Sequence, residues 1–176
     1  MRIAYRFIVA LMLLPLPALA QQTPRVEVFG GYSHLVGNFS NSDFNLNGAD
    51  FSVTENLNKW LGGTLDFSSH FGTVGGFKVN SETIMYGPLF AYRKNPSVVP
   101  FGHVLLGAVR GGPEYLGISD SEYRFGVLAG GGVDLKMGKR VSLRIIQADY
   151  LMTRFSSSRQ DNIRLSAGIV LRFGQK

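Results

Sequence analysis

Three histidines and one short run offer the chain its best material for chemistry. Ser68-Ser69-His70 sets a hydroxyl beside an imidazole, and Asp66 stands two residues earlier. A Ser-His pair with a carboxylate to orient the ring is the pattern of an activated nucleophile for ester cleavage. In an extended strand Asp66, Ser68 and His70 would share one face, whereas Ser69 would face away. His34 and His103 lie far from His70 in sequence, and the chain has no Cys. A histidine cluster or a thiolate metal site therefore has no ligand set. Gly130-Gly131-Gly132 is followed by Val133 rather than by Lys and Ser or Thr, so it is not a phosphate loop. No cofactor, metal or nucleic acid is expected, and the lipid-hydrolase reading of His70 is kept as the alternative to a non-enzymatic protein.

A second set of residues carries charge. Glu27, Asp66, Asp134 and Asp149 are four acids; Arg124, Arg144, Arg164 and Arg172 are four bases. All eight sit on the more polar face of segments that alternate in hydropathy. If that face is buried, the charges must pair, because an uncompensated buried charge is costly.

The positioning elements are strands. In Asn162–Phe173, Ile163, Leu165, Ala167, Ile169, Leu171 and Phe173 fall on one face. Arg164, Ser166, Gly168, Val170 and Arg172 fall on the other. This period of two is incompatible with a helix. Tyr123–Met137 repeats it, with Arg124, Leu128 and Asp134 among the residues of the second face. Fifteen residues is long for a soluble strand and suits a tilted strand that crosses a bilayer. Six further strands are read at Arg25–Val36, Asp50–Leu57, Leu61–Phe71, Ser81–Tyr92, Phe101–Gly111 and Val141–Phe155. The last of these breaks phase, and a bulge near Ile145-Ile146 would return Arg144, Gln147 and Asp149 to one side.

The whole describes an all-β, eight-stranded antiparallel up-and-down transmembrane β-barrel. Residues 1–20 read as a signal peptide, with Arg2 and Arg6, an apolar stretch to Leu14 and a cleavage pattern at Ala18-Leu19-Ala20. Residues 21–176 are the barrel domain. Losing two Arg lowers the formal charge from +6 to +4, with no basic run, which excludes a nucleic-acid binder. Charged residues are only 17% of the chain, too few for a disordered segment or a coiled coil. Connections alternate short (Asn58-Lys59, Arg93–Pro100, Gly138–Arg140) and long (Gly37–Ala49, Gly72–Asn80, Gly112–Ser121, Ser156–Asp161). Short turns belong on the periplasmic side.

A soluble lipocalin-like barrel, apolar inside, would alternate as well. Three features favour the membrane version: a polar face rich in Gly, Ser and Thr, an opposite face almost free of charge, and the alternating loop lengths. Glu55 and His103 are the awkward positions on the apolar face. Trp60, Tyr92, Phe101 and Tyr150 are candidates for aromatic girdles.

Val26–Tyr32 (VEVFGGY), Phe125–Leu135 (FGVLAGGGVDL), Leu143–Phe155 (LRIIQADYLMTRF) and Leu165–Phe173 (LSAGIVLRF) carry a resemblance. With them the mature chain resembles the small outer-membrane barrels of the OmpA/OmpX-like and opacity-protein-like group. The resemblance implies a place in the outer membrane, with lipid and lipopolysaccharide as neighbours. It implies a structural or adhesive role through four external loops and an external ligand that is not identified; the plugged lumen follows from the residues, since eight strands enclose only enough room for side chains and the four acids and four bases there must pair. It also implies that Leu171 and Phe173 form the signal read by the barrel-assembly machinery, here shifted inward by Gly174-Gln175-Lys176. No periplasmic peptidoglycan-binding domain is expected after the barrel.

Overall fold

A computed structural model describes residues 23–39, 42–74, 76–115, 118–119, 122–154 and 159–174. The expected signal peptide lies outside them. The strands are β1 (Val26–Phe39), β2 (Ser42–Asn56), β3 (Leu61–Val74), β4 (Phe77–Ala91), β5 (Val98–Tyr115), the two-residue β6 (Ile118–Ser119), β7 (Glu122–Lys136), β8 (Val141–Arg154) and β9 (Arg159–Phe173). Every pairing is antiparallel. β4 joins β5 and β1 joins β9, so eight long strands close on themselves and β6 only extends the end of β5.

The register fixes the shape. Traced through successive pairs, Glu27 leads through Thr54, Thr64, Gly87, Leu105, Leu128, Leu151 and Asn162 back to β1 at Gly37. The stagger on closure is thus 37 − 27, ten residues. Stagger and strand number together set the strand tilt and the barrel width, and eight strands leave an interior that side chains can fill.

Alternation of burial follows from the pleat. In β9, Asn162, Arg164, Ser166 and Val170 are buried, while Ile163, Leu165, Ile169, Leu171 and Phe173 are exposed. In β8 the phase changes: Arg144 is inward, Ile145 and Ile146 are both outward, and Gln147 is inward again. The pairing of β8 with β9 shifts between Arg144 and Gln147, so the bulge expected there is present.

The structure departs from the sequence reading in four places. The Asn- and Ser-rich stretch read as a loop from Gly37 to Ala49 is mostly ladder, since β1 runs to Phe39 and β2 starts at Ser42, and the stretch read as a loop from Gly72 to Asn80 is mostly ladder too, since β3 runs to Val74 and β4 starts at Phe77. β5 likewise runs to Tyr115. Beyond the bilayer both faces of a ribbon can be polar, so pairing continues where hydropathy no longer alternates. Phe101 is not a girdle residue; it lies in the lumen. His103 is not on the apolar outer face either; it is 4% exposed and points inward from β5. Its neighbours Gly102 and Val104 are the outward residues, and the parity of this strand is masked because both faces are apolar.

The fourth departure concerns the lumen, which is not uniformly polar. Leu35, Leu46, Met85, Leu105, Leu128 and Leu151 pack into a buried cluster toward the loop end. Leu89, Ala91, Val99 and Phe101 form a second one toward the turn end. Polar groups occupy the space between and below. Glu55 is outward and exposed next to the β2–β3 turn, where lipid headgroups rather than acyl chains would surround it.

Candidate functional site: a bonded polar chain in the lumen

Inward positions on six strands bring the charged residues together. Arg164, on β9, is the centre and is fully buried. Its Nη1 donates to Asp66 Oδ1 at 2.8 Å and its Nη2 to Asp66 Oδ2 at 3.1 Å, across the barrel on β3. Its Nε and Nη2 donate to Asp149 Oδ2 on β8, at 3.0 and 2.8 Å. Asp50 on β2 lies 3.7 Å from Nη1. Each Asp66 oxygen receives its own N–H, the forked geometry that a guanidinium offers a carboxylate.

Asp149 extends the chain in two directions. Its Oδ1 is 2.8 Å from His103 Nε2, and its Oδ2 accepts from Gln147 Nε2 at 2.7 Å. Gln147 Oε1 accepts from Arg144 Nη1 at 2.6 Å. Arg144 also donates to both oxygens of Asp134, at 2.8 and 3.1 Å. Its guanidinium sits 4.3 Å from the Phe29 ring centroid and 4.2 Å from that of Phe101. Two aromatic faces therefore grip one cation, a contact strengthened by desolvation. Asp134, Arg144, Gln147, Asp149, Arg164 and Asp66 thus form one continuous bonded chain.

A separate group closes the turn end. Arg93 Nη2 reaches Glu27 Oε2 at 2.5 Å and Asn56 Oδ1 at 2.8 Å. Asn56 Nδ2 donates to Glu27 Oε2 at 2.9 Å. Arg172 Nη2 donates to the carbonyls of Gly138 and Val141, the latter at 3.0 Å. These bonds tie β9 to the β7–β8 turn rather than to a carboxylate. Arg124 lies at the loop end of β7, away from the bonded chain. Leu171 and Phe173 face outward at the turn end of β9.

Five of the eight expected lumen charges, Asp66, Asp134, Arg144, Asp149 and Arg164, are therefore brought together. Glu27 pairs elsewhere, and Arg124 and Arg172 are not members of this bonded chain. The sequence reading missed Asp50, Arg93 and His103. Asp50 had a signal: Asp50, Ser52, Thr54 and Asn56 alternate with Phe51, Val53 and Glu55. Arg93 had none, because it reaches back into the lumen from a connection.

The Ser-His-Asp arrangement that the alternative, lipid-hydrolase reading would need does not form. Ser68 Oγ bonds Thr83 Oγ1 at 2.7 Å. His70 Nε2 bonds Ser33 Oγ at 2.8 Å, and Asp66 is held by Arg164. All three are sealed in the lumen, out of reach of a lipid ester. His34 is on the other surface of the wall, 2.8 Å from Asn47 Oδ1, so the three imidazoles do not converge.

The fold that carries this network is that of known proteins. Neisserial surface protein A superposes with a TM-score of 0.76 at 15% identity, over 87% of this chain and 99% of that one. Ail, the attachment invasion locus protein of Yersinia pestis, gives 0.59 at 17% identity, over 84% and 98%. The outer membrane protein OprG of Pseudomonas aeruginosa gives 0.58 at 10% identity, over 87% and 97%. No curated protein matches the sequence. A family model described as the outer membrane protein beta-barrel domain matches residues 7–173. With its closed eight-stranded wall, apolar outside and ion-paired within, the chain belongs to the family of outer membrane beta-barrel domains.

Proposed function

We propose that the chain is a non-enzymatic outer-membrane barrel whose lumen is closed by its own side chains, with a structural role in the envelope and with its outward connections presented at the cell surface. One observation carries this reading. The bonded chain from Asp134 to Asp66 and the leucine cluster beside it occupy successive levels of the same interior. A remaining lumen cavity, lined by Glu27, Phe29, Arg93, Asp134 and Arg144, holds only about 10 Å³. That is room for about one water, not for a solute path.

Lipid and lipopolysaccharide are the partners of the outer wall. A groove of about 460 Å³ runs between Phe51, Phe67, Ile84 and Tyr123 over the small residues Ala49, Ser69 and Ala108. It ends at the Arg110–Glu82 pair, an apolar channel with a charged end that suits an acyl chain and its headgroup. Leu171 and Phe173 are the residues offered to the barrel-assembly machinery. Ail bears the name of an attachment protein, and surface attachment is the corresponding role proposed for the outward connections here.

Planar-bilayer recording tests the closed lumen. Refolded protein is expected to insert without stepwise conductance, while a gel confirms that its mobility changes on boiling. Long-lived open steps from the unmodified protein would overturn the reading.

A further inference from the structure

The turn end of the barrel is ringed with exposed cations. Lys59 lies in the β2–β3 turn, Lys94 between β4 and β5, and Lys139 and Arg140 in the β7–β8 turn. Arg25 leads into β1, where its amide donates to the Phe173 carbonyl at 3.0 Å. All five side chains are exposed. Residues 23–25, 57–60, 92–97 and 137–140 contain no Asp or Glu. The acids nearest this rim are largely committed: Glu27 is held by Arg93 and Asp134 by Arg144. Among the described residues, Glu55 is the acid that faces outward there.

Topology spreads these charges. The β2–β3, β4–β5 and β7–β8 connections and the β9–β1 junction follow one another around the wall. Each quarter of the ring therefore receives one or two cations, and none of them lies at the centre of the mouth. Nearer the centre, Arg93 is paired with Glu27 and Asn56, Arg172 donates to the carbonyls of the β7–β8 turn, and Lys136 is half-buried beside them, so these three cations are drawn inward and are not part of the outer ring. Aromatic residues mark the depth. Trp60 stacks on Phe90, with centroids 5.9 Å apart, and Lys94 Nζ lies 5.9 Å from the Tyr92 centroid. Exposed Trp and Tyr sit at headgroup level in a bilayer, so the adjacent ammonium and guanidinium groups lie level with lipid phosphates. At the loop end, by contrast, exposed Arg110 is paired with Glu82 at 3.4 Å.

We propose that this rim is a binding site for anionic phospholipids of the periplasmic leaflet, lipids of the phosphatidylglycerol class. Arg25, Lys59, Lys94, Lys139 and Arg140 contact the headgroup phosphates. The even spacing around the perimeter, beside membrane-facing aromatics, fits a shell of lipids. The proposal goes beyond the closed-lumen reading and needs only that the barrel spans a bilayer, with its short turns on the periplasmic side.

The test uses the refolded barrel in phosphatidylcholine bilayers, with spin-labelled phosphatidylglycerol or spin-labelled phosphatidylcholine as probe. Both leaflets then have the same composition, so the direction of insertion does not matter. Electron spin resonance reads the fraction of label immobilised at the protein. About a three- to ten-fold preference for the anionic label is expected at low salt, the combined effect of several surface cations. It should shrink in 0.5 M salt as screening shortens to a few ångström, roughly 4 Å. The variant Lys59→Gln/Lys94→Gln/Lys139→Gln/Arg140→Gln should bring it close to one. Heat-modifiable mobility shows that the variant is still a barrel; should the quadruple variant fail to fold, Lys94→Gln and Lys139→Gln alone should each remove a share. Equal immobilisation of the two labels by the unmodified protein overturns the proposal, as does a preference that survives the substitutions. Sedimentation with purified peptidoglycan provides a second arm. Binding to it that the variant loses, with the lipid preference intact, would assign the ring to a glycan and overturn the proposal.

Discussion

Replacing Arg164 with Met asks whether the lumen network holds the barrel together. Methionine keeps the stem and most of the volume and removes every N–H. In the folded protein this strands Asp66, which loses both of its bonds, and leaves Asp149 with only His103 and Gln147. Asp50 loses the cation 3.7 Å away. Three carboxylates then share a dry interior without their guanidinium. Removing one partner of a buried pair costs about 3–5 kcal/mol, and this residue serves two bonded partners, so the upper part of that range applies. Four kcal/mol is about a thousand-fold in the unfolding equilibrium. Asp66→Asn should cost less, about 1.5–3 kcal/mol, because Arg164 keeps Asp149. The double variant Arg164→Met/Asp66→Leu should be more stable than Arg164→Met alone, because one stranded charge has gone with its partner. Urea unfolding in lipid vesicles reads these differences. Trp60 is the single tryptophan and sits at the rim, so its emission follows the barrel leaving the membrane. Stability of Arg164→Met within 1 kcal/mol of the unmodified protein would refute the reasoning. Unchanged stability with new stepwise conductance would make the network a gate rather than a tie.

Gly168 pairs with Gly31 across the closing β9–β1 seam, and a Cβ there would meet the Gly30 carbonyl; Gly168→Val should therefore cost about 1–3 kcal/mol in the same urea titration through overpacking. Phe173→Ala should slow or reduce assembly into the outer membrane, measured as heat-modifiable protein in membrane fractions, while refolding into detergent stays efficient. His70→Ala should leave hydrolysis of labelled lipopolysaccharide at the background level of the unmodified protein, and should cost about 1 kcal/mol of stability through the lost Ser33 bond.

The sequence displays this fold unevenly, and the reasons are physical. β9 is legible because Arg164 and Arg172 alternate with Ile163, Leu165, Ile169 and Leu171, so only one parity is tolerable in lipid. β8 is legible for the same reason, and its phase break at Ile145-Ile146 locates the bulge. The outer halves of β1 and β2 are not legible. There the ladder stands in water, and Asn45 and Asn47 face outward as readily as Gly48 faces in. Pairing partners are also beyond a periodic signal. Nothing in the spacing of Asp66 and Arg164 says that strands on opposite sides of the wall will meet at 2.8 Å. Arg93 enters the lumen from a connection, where alternation carries no information.

The mixture of leucine and charge in the lumen has a common explanation. The outer wall must be apolar, so an interior filled only with leucine would leave each strand apolar on both faces. A slip of one residue would then cost little, although it exchanges every side chain between lumen and lipid. Inward charges remove that freedom. A slip of β9 would carry Arg164 into the bilayer, at about 2–4 kcal/mol near the midplane, and would abandon Asp66 and Asp149 in the lumen. The leucine cluster fills space on strands whose parity is fixed by charge elsewhere. In β7 Leu128 alternates with Val127 and Ala129, an exchange of little cost, but Asp134 is anchored by Arg144. In β5 the inward residues Val99, Phe101, Leu105 and Val109 face outward ones that are just as apolar, Val104 and Leu106 among them. Parity in that strand rests on His103 and its bond to Asp149. It is the strand whose faces the alternation misassigned, and the polar residue that assigns them was read as the exception.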